Sequence, residues 1–184
     1  MIRIIRYAMA CAAIVFAGSA FAGTQVLGFE IGASSVDQVR GELAKKTQVQ
    51  DAGTNKFSGG TMLKTDGASY DISGLNNVLY IFDDQKKLMG VVMSMAKGGG
   101  LNNEGFNQIY KIISGKYKLV SEQRPFVGNQ YARFNSPDSI IEIQAQHLSF
   151  EMEVRYIRKD LMAKFNAQSM TEAAEKKKSE ASKF

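Results

Sequence analysis

The chain has 184 residues, a formal net charge of +5 and 45% hydrophobic residues, with one histidine, one cysteine and no tryptophan. Charges of both signs are interspersed among many apolar residues, so neither a disordered polyelectrolyte nor a nucleic-acid binder with a basic face is indicated. One histidine and one cysteine also exclude a His/Cys metal cluster and a disulfide framework.

Residues 1–22 read as a secretory signal peptide. Arg3 and Arg6 precede an apolar stretch from Ala8 to Ala17, and Ser19-Ala20-Phe21-Ala22 before Gly23 fits the small-residue cleavage rule. The stretch is too short for a stable membrane span, and Cys11 has too little hydrophobic sequence before it for a lipobox. The expected mature protein starts near the Ala22-Gly23 junction and is periplasmic or secreted. Loss of two arginines takes its formal charge from +5 to +3, and no cysteine is left. A chain of about 160 residues is long enough to bury roughly two-thirds of its unfolded surface, so a packed core takes the place of disulfides.

From Gly23 the pattern predicts an α+β fold of two tandem α-β-β-β-β units, residues 23–98 and 99–158, followed by a C-terminal helix over 159–184. In the first unit an extended lead-in from Val26 to Ile31 is followed by Val36, Val39 and Leu43 at helical spacing. Ser35 with Gln38 three residues later makes a capping box, and Lys45-Lys46 favour the end of the helix dipole, so a helix is expected from Ser35 to Lys46. Strands are expected at Thr47 to Asp51, Thr61 to Lys64, Tyr70 to Ile72, Asn77 to Phe82 and Leu88 to Ala96, separated by Gly- and Asp-rich turns. Val78, Tyr80 and Phe82 alternate on one arm of the last hairpin, and Met89, Val91, Met93 and Met95 on the other. Gly98-Gly99-Gly100 reads as a flexible joint.

The second unit opens with a helix from Asn103 to Ser114, capped by Asn102 or Asn103, with Phe106, Ile109, Tyr110 and Ile113 on one side. An offset of 70 pairs Leu101 with Ile31, Phe106 with Val36, Ile109 with Val39 and Ile113 with Leu43, which is the basis for reading a repeat. Strands follow at Tyr117 to Ser121, Gln130 to Asn135, Ile140 to Gln144 and Ser149 to Ile157. In the last, Phe150, Met152, Val154 and Tyr156 alternate with Ser149, Glu151, Glu153 and Arg155, one face core and the other wet. Beyond Arg158, Leu161, Met162, Phe165 and Met170 are the expected docking residues of a helix that frays into the polar tail from Thr171.

No catalytic constellation emerges, so the chain is not read as an enzyme and no cofactor or metal is expected. Ser94-Met95-Ala96-Lys97 matches an S-x-x-K phrase, but on a strand its Ser and Lys point to opposite faces. Asp83-Asp84 sits at a hairpin turn rather than in a cleft, and His147 lies in a turn between strands. What remains is a surface. With helices packed on one side of antiparallel sheet, the other face is free to bind, and Tyr70, Tyr80, Tyr117, Tyr131 and Arg133 are candidates to lie on it. The polar face of the last strand adds Glu151, Glu153 and Arg155, making Tyr131, Arg133, Glu151, Glu153 and Arg155 the candidate binding residues.

The tandem helix-then-four-strands layout, with Ile31-Gly32-Ala33-Ser34-Ser35-Val36-Asp37-Gln38-Val39 opening the first helix, resembles the β-lactamase-inhibitor-protein-like fold and the SmpA/OmlA envelope lipoproteins. In those families a short L-G-x-[ST]-x-x-x-V phrase precedes the helix. The resemblance implies that fold and a binding role, with no catalytic residue to transfer. The chain departs from these families in its lack of a lipobox cysteine and of disulfides. The resulting expectation is a non-enzymatic periplasmic or secreted protein that recognises a protein partner, an envelope component or an external hydrolase, through an exposed sheet face. The alternative is a carrier of a small apolar ligand or lipid, lined by methionines at 62, 89, 93, 95 and 152.

Overall fold

The structure, a computed structural model, describes residues 23–98 and 104–183. The segment expected to be a signal peptide therefore lies outside the described residues, as do Gly99, Gly100, Leu101 and the proposed caps Asn102 and Asn103.

The described residues form an α+β fold. A short hairpin, β1 (Gln25–Val26) and β2 (Phe29–Glu30), leads into α1 (Val36–Ala44). Strands β3 (Val49–Thr54), β4 (Gly59–Asp66), β5 (Leu75–Asp83) and β6 (Leu88–Ala96) follow, with a 3-10 turn at Ala68–Tyr70 where a short strand was expected. Helix α2 (Glu104–Ser114) precedes β7 (Lys118–Gln123), β8 (Gln130–Asn135), β9 (Ser139–Ala145) and β10 (Glu151–Arg158), and α3 (Lys159–Ala181) ends the chain. The eight longer strands make one antiparallel sheet in the order β3-β4-β5-β6-β10-β9-β8-β7. The last strands of the two four-strand runs, β6 and β10, therefore pair at its centre, with Val154 opposite Met93.

Helices α1 and α2 cover one face. Ser35 caps α1 by accepting from the Gln38 amide at 3.2 Å, and Val36, Val39 and Leu43 are buried. Phe106 and Ile113 do the same for α2. Beneath them lie Tyr80, Phe82, Phe134, Ile141 and Ile143, all fully buried. The β1-β2 hairpin closes one end of this core, with Phe29 edge-on to Tyr80 at 5.8 Å. It is tied to the β8-β9 turn, where the Thr24 amide donates to Asp138 at 3.2 Å and the Thr24 and Ser136 hydroxyls lie 2.6 Å apart.

Helix α3 lies on the opposite face, so the helices are not all on one side. Its pattern also differs from expectation: helix continues through Ala181, while only Leu161 and Met162 are buried and Met170 is 74% exposed. Beneath it is a second apolar cluster of Ile81, Met89 and Ile157, with Met62, Leu79, Val92 and Ile140 around it. Met89 belongs here and not with Val91, Met93 and Met95. One residue of β6 is extra against β5, because Ile81 pairs with Gly90 and Phe82 with Leu88, and this bulge turns Met89 to the α3 side. At Gly90 a Cβ would stand 2.7 Å from Ile157 Cδ1, so the glycine lets Ile157 lie across the strand beneath α3.

Candidate functional site

The face that carries α3 is only half covered, and its register explains what stays open. One row across the sheet reads Ile140, Ile157, Gly90, Ile81 and Met62, and α3 docks here. The next row is Arg133, Glu142, Arg155, Val92 and Leu79, and the one beyond is Tyr131, Gln144, Glu153, Ser94 and Asn77. The apolar row thus borders two rows that turn polar on the β8, β9 and β10 side. Along their border runs an open trough of about 600 Å³. Ile81, Val92 and Ile157 from the sheet and Leu161 and Phe165 from α3 line its apolar side. The β3-β4 loop holds the helix in place: Phe57 meets Phe165 edge-on at 5.0 Å, and Lys56 pairs with Glu172 at 3.0 Å.

Four of the sequence-predicted residues, Tyr131, Arg133, Glu153 and Arg155, line the polar side of this trough. Glu151 lines an adjoining hollow of about 200 Å³ that shares Gln144, Glu153 and Arg155 with it. Glu151 accepts from Asn76 Nδ2 at 2.9 Å. Tyr70, Tyr80 and Tyr117 do not join the site. Tyr80 is fully buried in the core with its hydroxyl 2.9 Å from that of Tyr70, and Tyr117 packs on the same core beside Tyr156. The methionine lining is also overturned in part, because Met93, Met95 and Met152 fill the core under α1 and α2.

Sequence reasoning missed the centre of the polar cluster, Glu142. Its side chain is 4% exposed, and Oε1 accepts from Arg133 Nη2 at 2.6 Å, from Arg133 Nε at 3.0 Å and from the Tyr131 hydroxyl at 3.0 Å. Gln144 Nε2 donates to the other carboxylate oxygen at 3.1 Å. Two signals were present in the sequence. Glu142 sits between Ile141 and Ile143, so strand parity sends it away from the core. A two-residue turn at Pro137-Asp138, closed by Ser136 N donating to Ser139 O at 3.1 Å, sets Arg133 directly opposite Glu142.

The electrostatics follow from this packing. Burial, reinforced by the Glu142 charge and hydrogen bond, pushes the Tyr131 hydroxyl up to about 12. Burial works against the charged form of Arg133, but its bonds to Glu142 outweigh that, so the guanidinium is held charged more firmly than usual. Arg155 is bound differently. Its Nε donates to Glu153 Oε2 at 2.7 Å, its Nη2 bonds the same oxygen, and both partners are partly exposed. The trough therefore offers paired charges and amide groups facing an apolar wall, an arrangement suited to binding. Ser94 and Lys97 are not brought together: the Ser94 hydroxyl faces Glu151 at 3.5 Å, and Lys97 Nζ donates to the Gln146 and His147 carbonyls. Among the described residues, no group of three or more His, Cys, Asp or Glu side chains is placed to hold a metal ion, and no helix is long and apolar enough to cross a membrane.

No protein-family model matches the chain, and no curated protein or solved structure matches it either.

Proposed function

We propose that the protein is a non-enzymatic binding protein of the periplasm or the secreted space, and that the trough beside α3 is where it recognises a protein partner. The observation that carries this reading is the convergence of Tyr131, Arg133, Glu153 and Arg155 from separate strands on one trough with an apolar wall. A polypeptide segment suits such a lining, because it brings apolar side chains for Ile81, Val92 and Phe165 together with amide groups for Gln144 and Tyr131. The hollow at Glu151 extends the same surface and lengthens the contact.

We also read the two halves as copies of one unit related to the β-lactamase-inhibitor-protein-like fold. The mirror order of the strands supports this, as does the burial of Val36 with Phe106 and of Leu43 with Ile113 at the 70-residue offset. The second functional reading, an apolar ligand carrier, is favoured by the volume of the trough, which falls in the range of small-molecule pockets. Native mass spectrometry of the protein drawn from its envelope separates the two, since it shows either a bound polypeptide or a bound small molecule. Charge reversal by Glu151→Lys with Glu153→Lys tests the site. Capture of the partner identified in that spectrum is expected to fall about tenfold or more while the fold is kept. Full capture by the folded double variant places the site elsewhere.

A further inference from the structure

Ahead of β1 the backbone is held by two carboxylates. The Gly23 amide donates to Glu30 Oε1 at 2.9 Å. A Cβ on Gly23 would stand 2.6 Å from Glu30 Oε1 and 3.1 Å from Asp138 Oδ2, so both acids close on this residue. Thr24 is buried beside it, with its amide donating to Asp138 at 3.2 Å and its carbonyl accepting from the Ile31 amide at 2.9 Å. The Thr24 hydroxyl also bonds Asp138 Oδ1, and the Ser139 hydroxyl donates to the same oxygen at 2.9 Å. Burial alone would raise the Asp138 carboxyl, but the bonds from Thr24 and Ser139 outweigh it and hold the group below its ordinary value.

What the two acids lack is a cation. Among the described residues, no lysine or arginine forms an ion pair with Glu30 or Asp138. The basic residues at the β10-α3 junction are engaged elsewhere: Lys159 Nζ donates to Pro137 O at 2.9 Å, and Arg158 pairs with Asp160 at 3.2 Å. Two half-buried negative charges therefore converge on one backbone nitrogen. With Ala22 attached, that nitrogen is a neutral amide carrying a single hydrogen. Hydrolysis at the Ala22-Gly23 junction adds the hydroxyl of water to the Ala22 carbonyl and a hydrogen to the Gly23 nitrogen. The freed amine takes up a further proton at neutral pH, because an α-amino group ordinarily titrates near about 8.

We infer that Glu30 and Asp138 form a socket for the α-ammonium of Gly23, so that removal of the leader completes the closure of the fold. The ammonium has a hydrogen for each carboxylate, whereas the amide serves only one, and charge-assisted bonds are the stronger kind. Asp138 lies 114 residues along the chain from Thr24, in the β8-β9 turn, so the new terminus ties the β1-β2 hairpin to the second half of the sheet. The uncleaved chain lacks this tie and is the less stable form. The inference rests on the cleavage site expected from the sequence and is independent of the trough.

Two forms of the protein, released from a fusion so that they start at Gly23 or at Ala22-Gly23, supply the test. The extension moves the positive charge one residue away and leaves Glu30, Asp138, Arg158, Lys159 and Asp160 common to both, so the difference between them reports the terminus. The form starting at Gly23 is expected to have the higher urea midpoint at about pH 6. The ammonium gains its partners on folding, which raises its pKa, so the gap is complete below about pH 8 and shrinks as pH rises through the folded-state value. Glu30→Gln and Asp138→Asn, each made in both forms, are expected to narrow the gap. Equal midpoints at about pH 6, or a gap unchanged at about pH 10 and in both variants, overturn the socket, since the extension then acts by bulk alone. N-terminal sequencing of the exported protein tests the cleavage separately. A start at Gly23 supports the link to processing, and any other start overturns that link whatever the midpoints show.

Discussion

The two faces of the one sheet are built to different ends. Under α1 and α2 the rows from β4 to β8 are mainly apolar, with Thr65 and Gln130 as buried polar positions at their two ends. Under α3 the same strands change character midway, from Met62, Ile81 and Ile157 to Tyr131, Arg133 and Glu142. The first face stabilises the fold chiefly by burying apolar area, with the Thr65, Tyr70 and Tyr80 hydroxyls bonded to one another within it. The second retains a fully buried carboxylate and two guanidiniums beside an apolar wall, a combination with little to offer stability against a hydrophobic replacement. That difference is the ground for proposing that one face serves folding and the other recognition.

The largest effect expected from this contrast lies on the sealed face. Leu43→Ala and Ile113→Ala, 3% exposed on α1 and α2, should each cost about 2 to 5 kcal/mol in chemical denaturation. Phe165→Ala on α3, 42% exposed at rest, should cost clearly less, within about 2 kcal/mol. Equal costs would show that α3 closes a core as essential as the first and would erase the distinction between the faces.

The sealed face was the legible one. Helical spacing at Val36, Val39 and Leu43 and two-residue alternation at Met152 and Val154 each name a buried face without knowledge of any partner strand. The placement of Tyr131, Arg133, Glu151, Glu153 and Arg155 on the face away from that core was also legible, since wet positions on strands must point away from it. What was not legible depended on pairing. The bulge that diverts Met89 is a mismatch between two strands and leaves no mark on either one alone. Glu142 reads as one more polar strand residue until the Pro137-Asp138 turn places Arg133 against it. Tyr80, Phe82 and Tyr131 look alike in an alternating strand, and only the registers separate core from trough.

A second contrast lies within the trough. Arg133 neutralises a carboxylate that is 4% exposed, whereas Arg155 neutralises Glu153, whose side chain is 44% exposed. Arg133→Ala leaves Glu142 as a buried charge without its cation and should cost about 3 kcal/mol. Arg155→Ala leaves Glu153 to water and should stay within about 1 kcal/mol. Thermal or urea denaturation of the pair measures both. If Arg155→Ala proves as costly as Arg133→Ala, Glu153 is far less hydrated than its position implies, and the polar rows work as a second core.

The smallest effect separates the faces by titration. With no tryptophan and seven tyrosines in the chain, phenolate absorbance reports tyrosines alone. Tyr80 and Tyr156, on the sealed face, are pushed upward first by burial, beyond the reach of an ordinary titration. Tyr131 is also raised first by burial, but the Glu142 charge and hydrogen bond supply much of the rest, and it should ionise near pH 12. A folded-state value above the unfolded one, about 10, means that the neutral phenol stabilises the fold. That contribution is complete below about pH 10 and disappears as pH rises through about 12. Glu142→Gln removes the charge that repels the phenolate, so the Tyr131 step, identified by its loss in Tyr131→Phe, should move down toward the ordinary tyrosine value. The core tyrosines should not respond, because no carboxylate is among the causes of their shifts. If Glu142→Gln leaves the Tyr131 step near pH 12, burial alone accounts for it. Glu142 then serves to hold Arg133 in place without setting the electrostatics of the trough.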